Sequence, residues 1–200
     1  MGQLYLLRHG QSTWNLEDRF TGWADVPLTD QGEREMRHTV EKLRGVVLDL
    51  VYTSALTRTR ASAQIVLEAL GQGPSLVAAA ELNERHYGDL QGLNKAETAA
   101  KFGAEQVRQW RRSYSVAPPC GESLQDAAAR IIPYFEGTIL PQAMSGRTVL
   151  VCAHGNTIRA IRMSLDKLGE ESIMAMEVPT GGLYRYLIGA DGAVLDRADL

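Results

Sequence analysis

Short apolar runs alternate along this chain with longer stretches in which apolar positions recur three and four residues apart, the pattern of strands interleaved with amphipathic helices. That alternation predicts an α/β layer architecture in preference to a bundle or a sandwich. The runs place strands at Leu4–Leu7, Leu48–Tyr52, Leu76–Ala79 and Thr148–Cys152. A helix is predicted over Gln31–Arg44, with Met36, Val40 and Leu43 on one face and Thr29 as its N-cap. A second, Thr57–Leu70, gathers Ala61, Ile65 and Ala69 and stops at Gly71, whose missing Cβ suits the left-handed residue that ends many helices. A third follows Ser123, which has capping-box spacing with Asp126; it carries Ala127, Ile131 and Phe135, and Pro133 should kink or divide it. The last, Asn156–Leu168, aligns Ile158, Ile161, Leu165 and Leu168 and ends at Gly169. Leu183–Leu195 reads as a hairpin around Ala190-Asp191-Gly192, because Asp-Gly favours the turns that join antiparallel strands. Two polar segments, Asn15–Leu28 and Glu81–Asn94, fit no element, and loops of that length inside a compact domain are usually functional.

Composition narrows the class of partner. The 200 residues, 44% of them hydrophobic and 22% charged, are expected to form one catalytic-sized domain, 1–200, with a core that needs no staples. A net charge of -3 gives no basic surplus, so neither nucleic acid nor an anionic membrane is expected as partner, and any anion site must be local. Cys120 and Cys152 have no metal-ligand spacing and fit a reducing compartment. No signal segment or membrane-length apolar window is found, and a cytoplasmic location is expected.

The chemistry is concentrated where apolar runs end. RHG (Arg8–Gly10) and AHG (Ala153–Gly155) each put a histidine just past a predicted strand, and ligands of open α/β sheets bind beyond the carboxyl ends of the strands. His9 and His154 should therefore meet at one edge, each before a helix start whose amides could cradle an anion. Arg8, Arg58, Lys95, Arg111 and Arg112 would, if gathered there, make a pocket for a multiply anionic small molecule, since guanidinium forks match phosphate oxygens. A neutral imidazole can attack phosphorus while a second, protonated one stabilises the equatorial oxygens. Glu84, in the loop LNERHYGDL, is nominated to move the substrate proton, because a carboxyl withdrawn from water beside a dianion suits general acid work. No HxH or HExxH spacing occurs, so no metal is expected.

The segments LLRHGQSTWN, RFTGWADVPLTDQG, YTSALTRTRASAQ, LNERHYGDLQGLNKAE, QWRRSYSVAPP, CGESL and AHGNTIRA, in this order, resemble the histidine phosphatase superfamily, and within it the phosphoglycerate mutases that depend on 2,3-bisphosphoglycerate. The likeness runs from Leu4 to about Gly181; RHG with a distant HG marks only the superfamily, whereas NERHYGDLQGLNKAE followed by WRR is far narrower. It implies a three-layer α/β/α fold with a mostly parallel central sheet and an enzyme that interconverts 3- and 2-phosphoglycerate in glycolysis and gluconeogenesis. It implies that His9 carries the phosphoryl group, that Arg8, Arg58 and His154 complete its pocket, and that Glu84 donates and accepts the proton. Gln11, Ser12, Asn15, Thr21, Gly22, Arg85, His86, Tyr87, Lys95, Arg111, Arg112, Gly155 and Asn156 are implied as substrate contacts, with 2,3-bisphosphoglycerate as primer, no metal, and room for a homo-oligomer. Gln11 stands where many members carry Glu, the Pro119–Glu122 stretch is shorter than in longer members, and a mobile tail beyond Leu200 is missing; a more open site that leaks hydrolysis is expected. A phosphatase of the same fold acting on a small phosphorylated metabolite is the runner-up, and a non-catalytic phosphate sensor the third reading.

Overall fold

All four predicted strands are present and lie side by side in a computed structural model that describes residues 1–200. β1 (Gly2–Arg8), β2 (Leu50–Ser54), β3 (Ser75–Ala79) and β4 (Thr148–Ala153) are parallel, and β5 (Leu183–Ile188) and β6 (Val194–Asp199) add a hairpin beside β1. The order is β3-β2-β4-β1-β5-β6. The hairpin runs to Asp199, beyond the expected Leu195, and closes with Gly189 N–H donating to the Ala193 carbonyl. β2 begins at Leu50, two residues late: Leu48 is buried, but its amide bonds the Gln72 side chain instead of a neighbouring strand.

The sheet is apolar on both faces, which is why its central strands read as unbroken runs and not as alternations. In β1, Leu4 and Leu6 enter one core with Val149, Val151, Ile131, Phe135, Ile158 and Ile161. Tyr5 and Leu7 enter the other with Leu150, Cys152, Met36, Val40, Val66 and Leu67. After α1 (Thr13–Leu16), helices α2 (Asp30–Lys42) and α3 (Thr57–Leu70) cover that second face. The first face is covered by α6 (Leu124–Tyr134), α7 (Leu140–Met144) and α8 (Gly155–Asp166), giving the three layers. Thr29 caps α2, the Ser123–Asp126 box caps α6, and Gly71 ends α3 at φ +66.

Two expectations are corrected. The buried face of α3 is Ser62, Ala63, Val66 and Leu67, together with Arg58 and Thr59, not Ala61, Ile65 and Ala69; the helix is turned by its polar N-terminal residues, which serve the edge of the sheet. α8 stops at Asp166 because Lys167 itself takes the left-handed conformation, and Gly169 instead precedes α9 (Glu170–Ala175). Pro133 lies inside α6, which runs through it and then passes into a widened turn at Phe135–Ile139, where Leu140 N–H reaches back five residues to the Phe135 carbonyl, before α7 resumes. α4 (Lys95–Phe102) and α5 (Ala104–Arg112) were not anticipated. Each buries a single residue, Thr98 and Val107, so neither shows an apolar period to read. They are anchored through a small cluster of Phe20, Leu90 and Val107, with Tyr87 and Trp110 against it, and stand over the carboxyl edge of the sheet.

Candidate active site

Register brings the two histidines together. Arg8 is paired with Ala153, so the next residues, His9 and His154, leave adjacent strands at the same level, and His9 N–H donates to the Ala153 carbonyl at 3.0 Å. Their rings meet edge to face with centroids 5.1 Å apart. Arg58 enters from the α3 start that follows β2, Glu84 from the loop after β3, and Asn156 from the first turn of α8. His9, Arg58, Glu84 and Asn156 line a cavity of about 230 Å³.

The His9 loop is held from behind by α2. A Cβ on Gly10 would fall on the Gly32 carbonyl, and one on Gly32 would fall on the Gln11 carbonyl, so the two backbones touch where only glycine fits. Gly10 N–H donates to Ser62 Oγ and Gln11 N–H to Glu35 Oε2, while Ser12 and Asn15 satisfy each other as the cap of α1. The amides after His9 are therefore spent inside the protein. In α8 the Asn156 amide donates to Glu84 Oε1 at 3.2 Å. The expectation of a helix start cradling an anion is corrected at α1, where the amides leading into the helix are all taken within the chain.

His9 Nδ1 lies 2.7 Å from the Gly10 carbonyl, which can only accept, so Nδ1 carries the proton and Nε2 keeps its lone pair. Burial, and then the Arg58 and Arg8 guanidiniums, hold the His9 imidazole well below its ordinary pKa, so it is neutral at pH 7. His154 is likewise pushed well down by burial, then by Arg58, His9 and Arg8. Its Nε2 pairs with Ser54 Oγ at 2.8 Å, and its Nδ1 is buried without a partner. Arg8 Nε is orphaned in the same way, while its other arm donates to the Val178 carbonyl. Arg58 donates to the Gly22 carbonyl at 2.7 Å and the Ala24 carbonyl at 3.0 Å; burial brings its guanidinium down to about 10, still charged at neutral pH. Glu84 Oε1 accepts from Arg85 N–H at 2.8 Å as well as from Asn156, leaving Oε2 for the cavity.

Of the expected residues, Arg8, His9, Asn15, Thr21, Gly22, Arg58, Glu84, Tyr87, Lys95, Arg111, Arg112, Gly155 and Asn156 line the cavity. Gln11, Ser12, Arg85, His86 and His154 do not. Gln11 turns its Oε1 to the Thr29 hydroxyl, and Ser12 is the α1 cap. Arg85 is fully buried, lies over the Tyr87 ring at 4.6 Å and donates to the Arg111 carbonyl, so it braces the acid loop against the end of α5. His86 accepts from Gly88 N–H and meets the Trp23 ring. His154 stands directly behind His9. The reason for Thr21-Gly22 is now visible: Gly22, at φ +57, turns the chain so that its carbonyl receives Arg58.

Arg19, Phe20, Arg159, Glu177 and Val178 line the cavity unannounced. Arg159 follows Asn156 by three residues on α8 and could have been found by helical spacing. Glu177 and Val178 arrive because β5 is antiparallel to β1: Leu183 pairs with Leu7, so the segment before β5 crosses the same edge as the strand ends. Nothing local in MEVPTG announces that. The cavity thus holds seven cationic side chains against the two carboxylates of Glu84 and Glu177.

A three-layer α/β/α fold with paired strand-end histidines flanked by Arg8 and Arg58 is the architecture of a phosphoryl-handling α/β enzyme, and the chain matches the Histidine phosphatase superfamily (branch 1) over residues 4–199. It belongs to that superfamily. It is 51% identical over 200 residues to the 2,3-bisphosphoglycerate-dependent phosphoglycerate mutase of Azorhizobium caulinodans, covering 98% of this chain and 97% of the other. The protein of the same name from Parvibaculum lavamentivorans is 49% identical, over 96% of this chain and 93% of its own. Among solved structures, a mycobacterial glucosyl-3-phosphoglycerate phosphatase superposes with a TM-score of 0.83 at 26% identity, over 100% of this chain and 98% of its own. No helix is long and apolar enough to cross a membrane.

Proposed function

We infer that the chain is a 2,3-bisphosphoglycerate-dependent phosphoglycerate mutase, interconverting 3-phosphoglycerate and 2-phosphoglycerate in the cytoplasmic steps shared by glycolysis and gluconeogenesis. The carrying observation is the cationic surplus of five around one cavity. A single phosphoryl group brings roughly -1.5 to -2 at neutral pH, so the surplus suits a ligand with two phosphates and a carboxylate. The orphaned Arg8 Nε and His154 Nδ1 lack the acceptors that phosphoryl oxygens supply. Bound 2,3-bisphosphoglycerate would supply the phosphoryl group that first charges His9, held by Arg8 and Arg58 at one end and by Lys95, Arg111 and Arg112 at the other.

In the reaction, His9 Nε2 directs its lone pair at phosphorus as the bond from phosphorus to the substrate oxygen breaks. Glu84 gives its proton to that leaving oxygen, and in the return direction takes the proton of the attacking hydroxyl. The Gly10 carbonyl keeps its bond from Nδ1–H, which steadies the imidazole while it carries the phosphoryl group. Arg8 and Arg58 balance charge on the equatorial oxygens; His154, held neutral behind His9 and not protonated as expected, offers at most a hydrogen bond from Nδ1, so the positioning and charge complementarity of phosphoryl transfer come from side chains, with no metal required. Tyr87, Asn15, Thr21 and Asn156 orient the glycerate.

Supplying 3-phosphoglycerate with a trace of 2,3-bisphosphoglycerate and a metal chelator should yield 2-phosphoglycerate. Free phosphate as the dominant product, without isomer, would replace this reading by that of a hydrolase, the activity in the name of the mycobacterial neighbour.

A further inference from the structure

The cations of the cavity are held in two ways. Arg8 and Arg58 donate to backbone carbonyls. Arg19, Lys95 and Arg112 are each paired with a carboxylate of this chain, Glu17, Asp18 and Glu177, each at 2.6 Å. Of these three acids only Glu177 lines the cavity. Its side chain is 72% exposed, and an ion pair so placed contributes little to folding. An acid turned into a site for polyanions needs another reason, because it repels the ligand and occupies the fork the ligand would use.

The backbone around it is fixed. Arg159 grips the Met176 carbonyl through Nε at 2.9 Å and Nη2 at 2.6 Å, and Arg8 donates to the Val178 carbonyl. Only the Glu177 side chain is left to swing. Its carboxylate is thereby kept within reach of Arg112 while remaining free to leave it.

We propose that Glu177 is a specificity-determining residue, a resident counter-anion that holds the Arg112 guanidinium and yields it only to the anionic tail of a ligand. This deepens the mutase reading and rests on its assignment of Arg112 to the end of the ligand remote from His9. Affinity for that end is then set by exchanging one anion for another. A ligand with a neutral tail leaves the pair intact, and a tail bearing carboxylate or phosphate displaces it. The exchange also keeps a cavity of such positive charge from holding its product too tightly.

The test is Glu177→Gln, which removes the charge and keeps the shape, with dissociation constants measured by titration calorimetry. For 3-phosphoglycerate the variant should bind about two- to five-fold tighter than wild type, the range an exposed ion pair commands. For phenyl phosphate, whose tail is neutral, the two should bind alike. Glu171→Gln removes an exposed acid from the groove on the outer side of Glu177, one that makes no contact with Arg112, and should change neither constant. Unchanged or weaker binding of 3-phosphoglycerate by Glu177→Gln would overturn the proposal. Equal tightening by both variants would also overturn it, by reducing the effect to net charge. The readout is binding, so a wild type that releases only phosphate would remove the mutase reading while the ratio of dissociation constants still judges Glu177.

Discussion

The floor and the rim of the cavity solve the same problem, holding negative charge, by opposite means. On the floor, His9, His154 and Arg58 are almost fully buried, Arg8 is half-buried, and the four are braced by carbonyls, a serine hydroxyl and the register of β1 on β4. On the rim, Lys95, Arg111 and Arg112 come from the short helices α4 and α5, are partly exposed, and in two cases carry an acid already. The floor is built to bind one tetrahedral group without rearranging, as preorganised electrostatic catalysis requires. The rim is built to exchange, which on the proposed mutase reading suits a ligand that leaves one grip for another.

The deepest break in that contrast is His9→Ala. It should remove isomerisation and hydrolysis together, by a factor on the order of 10³ or more, and abolish the acid-labile phosphoenzyme in rapid-quench labelling. Labelling that survives would take the nucleophile away from His9. Glu84→Gln should cost about 10²- to 10⁴-fold in kcat, the span of a lost general acid, with little change in KM; a kcat within a few-fold of wild type would move the proton elsewhere.

Rim variants should separate the two tiers. Arg111→Ala and Arg112→Ala each lose a charge-assisted contact, and are expected to raise KM for 3-phosphoglycerate about 10- to 100-fold. Turnover of phenyl phosphate, which meets only the floor, should stay within about two-fold of wild type. If both substrates suffered equally, the division into tiers would be wrong.

The smallest effect concerns stability. His9 and His154 have folded pKa values well below the ordinary value near 6.5, so below that pH the unfolded chain binds protons that the folded chain refuses. Their contribution to stability is present above pH 6.5 and is lost as pH falls toward their folded values. The loss is on the order of 1 kcal/mol per pH unit for each histidine. Urea midpoints at pH 7.5 and 5.5 should show the decline, and His154→Asn should flatten it; an unchanged slope would mean that the floor is less sequestered than its geometry indicates.

The floor was largely legible in the sequence because it hangs on strands. An apolar run followed by RHG or AHG states both an element and what stands at its end, and parallel pairing then does the assembly. The rim was less so. Lys95, Arg111 and Arg112 stand out in the sequence as basic residues, but nothing local says that they gather at one edge, since α4 and α5 bury one residue apiece and leave no period in the sequence. Glu177 was missed altogether, because its place depends on the direction of β5, a fact of topology that no local pattern records. Arg85 and His86 lie off the cavity wall, and adjacency to Glu84 in the chain does not say on which side of the loop a side chain falls.

The contact between Gly10 and Gly32 carries a last implication. α2 contributes nothing to the cavity wall, yet the His9 loop rests on it backbone to backbone and is tied to it again through Glu35. The setting of the imidazole is thus a joint property of a strand and of a helix on the far side of the loop. A map of functional sensitivity drawn only from the walls of the cavity would leave out one of the two supports on which its chemistry stands.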